Sequence, residues 1–320
     1  MTGPKVYLLH ENDEWVEPLR APLQALGTPF AEWHLARDEL RPGTPPPGIF
    51  YGKISASAHT RGHRSAPEIG AAILEWLQSA GCVVVNGSRA VDLEISKARQ
   101  YVGLAEHGIP VPSYHLVSGP DGIRRAAAHL GFPLVVKPNR GGKGAGVMRF
   151  ESEAGLEHTL GEGRFEAGPD GLFIVQAAIT APDQTITRCE FVGGAFLYAV
   201  QVDTRGGFEL CPADVCEIGE AFCATDSRAP FEIRADFTPP YLPQYETFLN
   251  ANGVKIAGIE FIFDETGRAW TYDVNFNTNY NTPAETAAGL TGTNRAGINA
   301  VAAFLDSELK RHYPEAANAA

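Results

Sequence analysis

The chain has 320 residues, 44% of them hydrophobic and 20% charged, with a formal net charge of -12. That length allows two or three modest domains, and that charge repels DNA, RNA and anionic membranes, so nucleic acid and membranes are excluded as partners and an anionic ligand needs a local cationic site. No basic segment followed by an apolar stretch opens the sequence, and no apolar run approaches the roughly 20 residues of a spanning helix, which predicts a soluble, cytoplasmic protein.

In chain order, "KVYLLH" reads as a strand, "WVEPLRAPLQAL" as an amphipathic helix, "GIFYGKI" as a strand, "APEIGAAILEWLQSA" as a helix and "CVVVNG" as a strand. That alternation predicts a small parallel α/β layer. The Pro-rich "LRPGTPPPG" at Leu40 to Gly48 reads as a stiff surface loop within it, and the domain boundary falls near Asn86 to Ala90. Next, "SRAVDLEISKARQYVGLAEHG" reads as one helix opening on a Ser88 cap and stopping at Gly108, before the extended "IPVPSYHLV" and a short helix, "DGIRRAAAHLG". From Leu172 the pattern is mainly strands: "LFIVQAAI", "TITRCEFV" and "AFLYAVQVD" about a Gly193-Gly194 turn, then "GIEFIF" and "AWTYDVNFN", with a long helix near the end.

Five cysteines (Cys82, Cys189, Cys211, Cys216, Cys223) are odd in number and irregularly spaced, which predicts reduced thiols rather than a disulfide framework. The last three match no CxxC zinc spacing.

Between Gly122 and Phe150 stand Arg124, Arg125, Lys137, Arg140, Lys143 and Arg149, with no aspartate or glutamate. In an acidic chain this is a local field for an anion. "PLVVKP" reads as a strand, "NRGGKGAG" as a turn and "VMRF" as a second strand, which puts Gly141, Gly142, Gly144 and Gly146 at a hairpin tip. There backbone N–H groups can approach phosphate oxygens with no Cβ in the way. A P-loop is excluded because Lys143 is followed by Gly144 and a strand; a Rossmann turn is excluded because Val147 stands where its third glycine belongs; a protein kinase is excluded by the lack of HRD and DFG. A hairpin whose glycines serve turn geometry alone remains the competing reading.

A second constellation lies in "GIEFIFDETGRAWTYDVNFN". Alternation puts Glu260 and Ile262 on one face; on the returning strand Thr271, Asp273 and Asn275 share a face, with Tyr272, Val274 and Phe276 opposite. A turn centred on Thr266-Gly267 sets Glu260 across from Asp273, with Cβ atoms roughly 4.5 to 5.5 Å apart. With Asn275, these form an all-oxygen set suited to Mg²⁺ that keeps waters and nucleotide phosphates in its other positions. Acids merely facing water are the competing reading. Together the two hairpins describe Mg²⁺ and a cationic flap on one polyphosphate.

These residues resemble the ATP-grasp superfamily and, within it, the RimK-like carboxylate-amine ligases, over about Asn86 to Asn281. The resemblance implies an α/β (α+β) protein with an ATP-grasp fold preceded by a small parallel α/β domain: 1–87 N-terminal, 88–175 with the glycine flap, 176–320 with the metal-binding hairpin. Lys97, eleven residues before Gly108, resembles the family's first nucleotide lysine, and Lys137 in "VVK" its second. Arg140, Gly141, Gly142, Lys143, Gly144 and Gly146 match the mobile loop. "VQAA" matches the adenine hinge, placing Gln176 and the backbone of Ala177 at the base. Arg188 matches an arginine twelve residues after the hinge glutamine. Glu260, Asp273 and Asn275 match the ligands of two Mg²⁺ ions, with Mn²⁺ an acceptable substitute, although glutamate and aspartate are exchanged relative to the commonest order. Three departures stand out: Ile186 replaces a carboxylate, so that ribose contact either falls to Asp183 or is lost; "ELCPAD" replaces an Arg-x-Asn; and "NFNTNYN" replaces "NASPG", leaving Asn279 as a substrate contact.

The implied reaction is attack of a carboxylate on the γ-phosphate of ATP, then displacement of phosphate by an amine, with Arg188 and Lys137 stabilising the transferring group. The acceptor set includes amino acids and peptides, and a homo-oligomer is left open. The crowded loop "YGKISASAHTRGHR" offers Lys53, His59, Arg61, His63 and Arg64 as an anionic-substrate site, against a solvated basic loop. Two other classes fit the same residues: a Mg-ATP-binding regulator without ligase activity, and a phosphotransferase on a small carboxylate. The intact acidic trio and both lysines disfavour the regulator.

Overall fold

The computed structural model describes residues 3–39, 43–142, 144–205 and 231–314. Lys143, the "ELCPAD" segment, Cys211, Cys216, Cys223 and the C-terminal tail lie outside the described residues.

Three sheets carry the structure. In the first, β1 (Lys5–His10), β2 (Phe30–His34), β3 (Gly48–Lys53) and β4 (Val83–Val85) are parallel in the order β2-β1-β3-β4. β1 and β3 are almost wholly apolar because both faces are covered. Tyr7, Leu9 and Phe50 pack with Ile73, Leu74 and Leu77 of α2 (Ala66–Ser79), whose buried residues recur at helical spacing. Val6, Leu8, Ile49 and Tyr51 pack on the other face with Leu19 and Leu23 of α1 (Glu17–Ala25) and Leu305 and Leu309 of α9 (Gly297–His312), so the long C-terminal helix returns to the first sheet. Strand β2, "FAEWH", is not visible in the sequence pattern: it is an edge strand, half-buried at all but its last residue.

The second sheet is antiparallel, β5 (Tyr114–Ser118), β8 (Leu172–Ala177), β6 (Leu134–Pro138) and β7 (Met148–Phe150), with α5 (Gly119–Leu130) and α6 (Glu153–Gly161) in its core. Leu134 pairs with Phe150 and Val136 with Met148, so the glycines sit at the tip of a hairpin.

The third sheet is antiparallel, in the order β11 (Phe231–Arg234), β10 (Ala195–Asp203), β9 (Thr185–Val192), β12 (Ile256–Phe263), β13 (Ala269–Asn275). Gly193 and Gly194, with φ of 67° and 80°, supply the left-handed turn between β9 and β10. Its core takes Phe191 and Phe261 together with Tyr245 and Phe248 of α7 (Leu242–Ala251) and Tyr101 and Leu104 of α4 (Lys97–Glu106). A short helix, α8 (Thr282–Ala287), follows β13.

The single helix expected over 88–108 is two, α3 (Ser88–Glu94) and α4. The apolar period runs through the break; what stops and restarts the helix is Ser96, which is extended (φ -148°, ψ 102°) and accepts from the Arg99 N–H as the cap of α4. Ser88 is the first helical residue of α3, not its cap, and bonds to Gln78 Oε1. Among the described residues no helix is long and apolar enough to cross a membrane.

Candidate active site

The glycine hairpin and the β12–β13 hairpin border one cavity, whose walls include Gly141, Gly142 and Gly144 from the first and Glu260, Asp273 and Asn275 from the second. Lys97, Lys137, Arg188 and Gln176 line the same space, and Trp15, Ser55 and Ser57 reach it from the N-terminal sheet.

Glu260 pairs with Asp273 and Gly258 with Asn275, as the turn predicts, but the register slips by one residue beyond Glu260, so that Phe261 pairs with Thr271. This bulge overturns part of the alternation. Thr271 is fully buried in the core against Tyr245 Oη at 2.7 Å, while Tyr272 joins Asp273 on the cavity side and its hydroxyl lies 3.2 Å from Glu260 Oε2.

Lys97 and Arg188 each face an acid in the cavity. Lys97 Nζ, placed by the Ser96 cap, is 2.5 Å from Asp273 Oδ1. Arg188 donates from Nε to Glu190 at 2.6 Å, from Nη1 to Glu260 at 3.1 Å and from Nη2 to Thr278 Oγ1. Asn275 Nδ2 donates to Glu260 Oε1 at 3.2 Å. Burial alone would push the Asp273 carboxyl up, but Lys97 and Lys137 outweigh it and hold Asp273 below the usual range. Glu260 goes the other way, because burial and the facing Asp273 outweigh Arg188. The two facing acids are therefore driven apart in acidity.

Lys137 is 5% exposed and has no carboxylate partner among the described residues; its Nζ donates to Tyr101 Oη at 2.8 Å and to the Tyr272 carbonyl at 3.2 Å. Burial, and then the neighbouring Lys97, lower its pKa to about 7. Tyr101 Oη in turn donates to Gln176 Oε1 at 2.7 Å. Glu94, also at the cavity, accepts from the Ala56 and Phe276 N–H groups and so ties the first sheet to the end of β13.

No family model matches the chain. It is 29% identical over 194 residues to a D-alanine–D-alanine ligase of Kocuria rhizophila, 50% of each chain, and 29% identical over 139 residues to a probable alpha-L-glutamate ligase of Thioalkalivibrio sulfidiphilus, 43% of this chain and 45% of that one. The chain thus spans about half the length of these curated relatives. Among solved structures it is similar to the ATP-grasp ligase PsnB complexed with a minimal precursor (TM-score 0.66, 17% identity, 96% of this chain and 100% of that one). It is similar also to a RimK domain ATP-grasp protein of Sphaerobacter thermophilus (TM-score 0.63, 20% identity, 94% and 98%). This is an ATP-grasp fold. The ATP-grasp fold that the sequence resemblance implied, and its α/β class, are borne out.

Within the ATP-grasp fold the remaining expected residues fall in two groups. Gln176 and Asn279 line the cavity, while the Ala177 N–H is bonded to the Ser113 carbonyl. Gly146, with φ of +72°, packs against Pro138 at the hairpin base. Arg140 turns away from the cavity: its guanidinium is held by Glu68 of α2 at 2.6 Å and by the Arg64 carbonyl. Asp183 is exposed and closes its own turn onto Thr185, and Ile186 takes the cavity wall instead.

The cationic side chains of the loop after β3 do not line the cavity either. Glu11, fully buried at the end of β1, gathers it: Arg61 Nη2 lies 2.7 Å from Glu11 Oε1 and His63 Nδ1 lies 2.7 Å from the Glu11 carbonyl. Arg61 also stacks on Trp15 at 4.4 Å, His59 caps back onto the Ala56 carbonyl, and Arg64 bonds the Pro169 carbonyl. Lys53 is buried, with Nζ 2.7 Å from Asn277 Oδ1 and 3.1 Å from the Thr278 carbonyl, and burial brings its pKa to about 7. The surfaces this region offers the cavity are Trp15, Ser55 and Ser57, with Asn277 and Asn279 beyond them.

Sequence reasoning missed Tyr101, Glu94, Glu190, Thr278 and Tyr272. Only Glu190 left a local signal, standing two residues from Arg188 and hence on the same strand face.

Proposed function

We propose that the protein is an ATP-dependent carboxylate-amine ligase. The observation that carries this reading is the facing of Lys97, Lys137 and Arg188 with Glu260, Asp273 and Asn275 across one cavity bordered by a glycine hairpin. Two in-register carboxylates and a neutral amide oxygen fit Mg²⁺, which prefers oxygen donors. Bound there, one or two Mg²⁺ ions, or Mn²⁺ in their place, would offset triphosphate charge and polarise the γ-phosphoryl group.

The protein's own groups then have distinct tasks. Lys137 and Lys97 stand where phosphate oxygens would lie, and the backbone N–H groups of Gly141, Gly142 and Gly144 can approach them closely. Arg188, locked by Glu190 and Thr278, is aimed at the metal-side carboxylate Glu260 and can stabilise charge on the group in transit. A substrate carboxylate oxygen bonds to the γ-phosphorus as the bond to ADP breaks. The amine then attacks the acyl carbon, phosphate leaves with the C–O electron pair, and the amine loses a proton. Closure of the glycine hairpin would exclude water from the acyl phosphate. Acceptor contacts fall to Ser55, Ser57, Asn277 and Asn279, a neutral polar set suited to an amino acid or peptide; the relatives' names, a D-alanine–D-alanine ligase and an alpha-L-glutamate ligase, support that class.

The decisive experiment supplies ¹⁸O-labelled carboxylates with unlabelled amines and ATP. Label must pass into phosphate, and sustained ADP release must need both substrates. ADP release with a carboxylate alone, leaving a stable phosphorylated product, identifies a phosphotransferase instead; nucleotide binding without turnover across the substrate panel identifies a regulator.

A further inference from the structure

Away from the cavity, an unusual group of side chains lies where two parallel strands end. His10 and His34 are register partners on β1 and β2, so both imidazoles leave the sheet on one face, with ring centroids 5.0 Å apart. His10 is 1% exposed and His34 6%, and among the described residues neither ring nitrogen of His10, nor Nε2 of His34, has a hydrogen-bond partner. The Asn12 main chain approaches His10 without reaching hydrogen-bond geometry. An unmet buried polar group costs about 1–3 kcal/mol, and folded proteins rarely leave three in one place.

The chain turns at once into a short 3-10 segment, Asp13–Trp15, and this brings a carboxylate to the same spot: donor atoms of His10, Asp13 and His34 all lie within 4.8 Å of one another. We propose that His10, His34 and Asp13 form a site for a divalent transition metal of the Zn²⁺ type, with water completing the shell. Two imidazole nitrogens and one carboxylate oxygen are a donor set for Zn²⁺ at about 2.0–2.2 Å, and a poor one for Mg²⁺ or Ca²⁺, which take oxygen.

The surroundings suit a cation. Glu32 Oε2 lies 3.7 Å from His10 Nε2, oriented by Arg20 at 2.8 Å, and would serve as an outer carboxylate. His63 packs edge-on against His34 at 5.6 Å. The competing cation is Arg37, 2.6 Å from Asp13 Oδ2, but its side chain is 60% exposed and can turn into water. The bond from the Ala36 N–H to His34 Nδ1 is long at 3.3 Å, so metal binding at either ring nitrogen loses little there. Glu11 adjoins His10 and Trp15 ends the turn that carries Asp13, so the ion would brace the residues that seat the 57–63 loop beside the cavity.

The site stands independently of the ligase reading, and its test uses no substrate. Full-length protein stripped with chelator is titrated with Zn²⁺ alone and with Co²⁺ alone, following bound metal by elemental analysis and the Co²⁺ ligand-field spectrum. The expected result is one equivalent retained in Asp273→Asn, where the cavity's acid pair is broken, with thermal stabilisation by Zn²⁺. His34→Gln and Asp13→Asn should each weaken that binding at least tenfold. Asp13 is 45% exposed, so its variant folds even if a change at a buried histidine does not. Wild-type affinity in Asp13→Asn and His34→Gln, loss of all uptake in Asp273→Asn, or no uptake by the wild type would each overturn the site.

Discussion

Lys97 Nζ and Asp273 Oδ1 lie 2.5 Å apart, joining the first residue of α4 to β13, the strand of the proposed metal ligands. The lysine thus neutralises the carboxylate that Mg²⁺ would share, and nucleotide with metal must turn it from Asp273 to phosphate. Asp273→Asn keeps the shape but removes the charge, and should lower ADP formation by about 10²-fold or more with the far-UV spectrum unchanged. Turnover within threefold of wild type in purified protein would sink the metal assignment.

The Lys137 ammonium has a pKa near 7 because burial and Lys97 disfavour its charge. A phosphate placed beside it favours the protonated form, so the pKa rises on binding and a proton is taken up wherever pH lies between the two values. Affinity should therefore weaken as pH climbs from about 7. Calorimetry with ADP and Mg²⁺ at pH 8, in buffers of different ionisation enthalpy, should report uptake approaching one proton, abolished in Lys137→Met. Heats independent of buffer would contradict this.

Arg61 and Glu11 form a pair whose acid is fully buried and whose base is a quarter exposed (24%). Arg61→Ala leaves that carboxylate with His63 Nδ1, 3.3 Å from Oε2, as its remaining side-chain partner among the described residues. The expected loss is about 2–3 kcal/mol in urea unfolding, below the roughly 3–5 of a fully buried pair because water reaches the arginine side. Rescue by Glu11→Gln in the double variant would separate a structural role from substrate binding. A destabilisation under 0.5 kcal/mol, paired with a raised KM for the acceptor, would restore the loop as a substrate site.

Both hairpins were legible because each combines alternation with an unmistakable turn, and because the glycine segment keeps its charge of one sign in an acidic chain. What the sequence concealed lies in two physical categories. One is local irregularity: the bulge at Tyr272 inserts one residue and the helix break at Ile95 and Ser96 two, which a periodic pattern passes over, yet they aim Tyr272 and Lys97 into the cavity. The other is distant pairing. Glu11 lies 50 residues from Arg61 and Glu68 lies 72 from Arg140, so loops that read as free positive charge are already neutralised in the fold.

Gly258 gives the sharpest test of how Arg188 is held. A Cβ added there would stand 2.7 Å from Arg188 Nε and 2.8 Å from Nη2, closer than atoms can pack. The guanidinium cannot simply swing aside, because Glu190, Glu260 and Thr278 fix three of its sides. Gly258→Ala must therefore break one of those bonds and displace the group from the transferring phosphoryl. Since the proposed nucleotide contacts through Lys97 and Lys137 are untouched, kcat should fall roughly 10²-fold while the Kd for ADP, read by calorimetry, changes less than threefold. Equal losses in kcat and nucleotide affinity would mean that Arg188 holds ATP in the ground state, and an unchanged kcat would remove it from the reaction altogether.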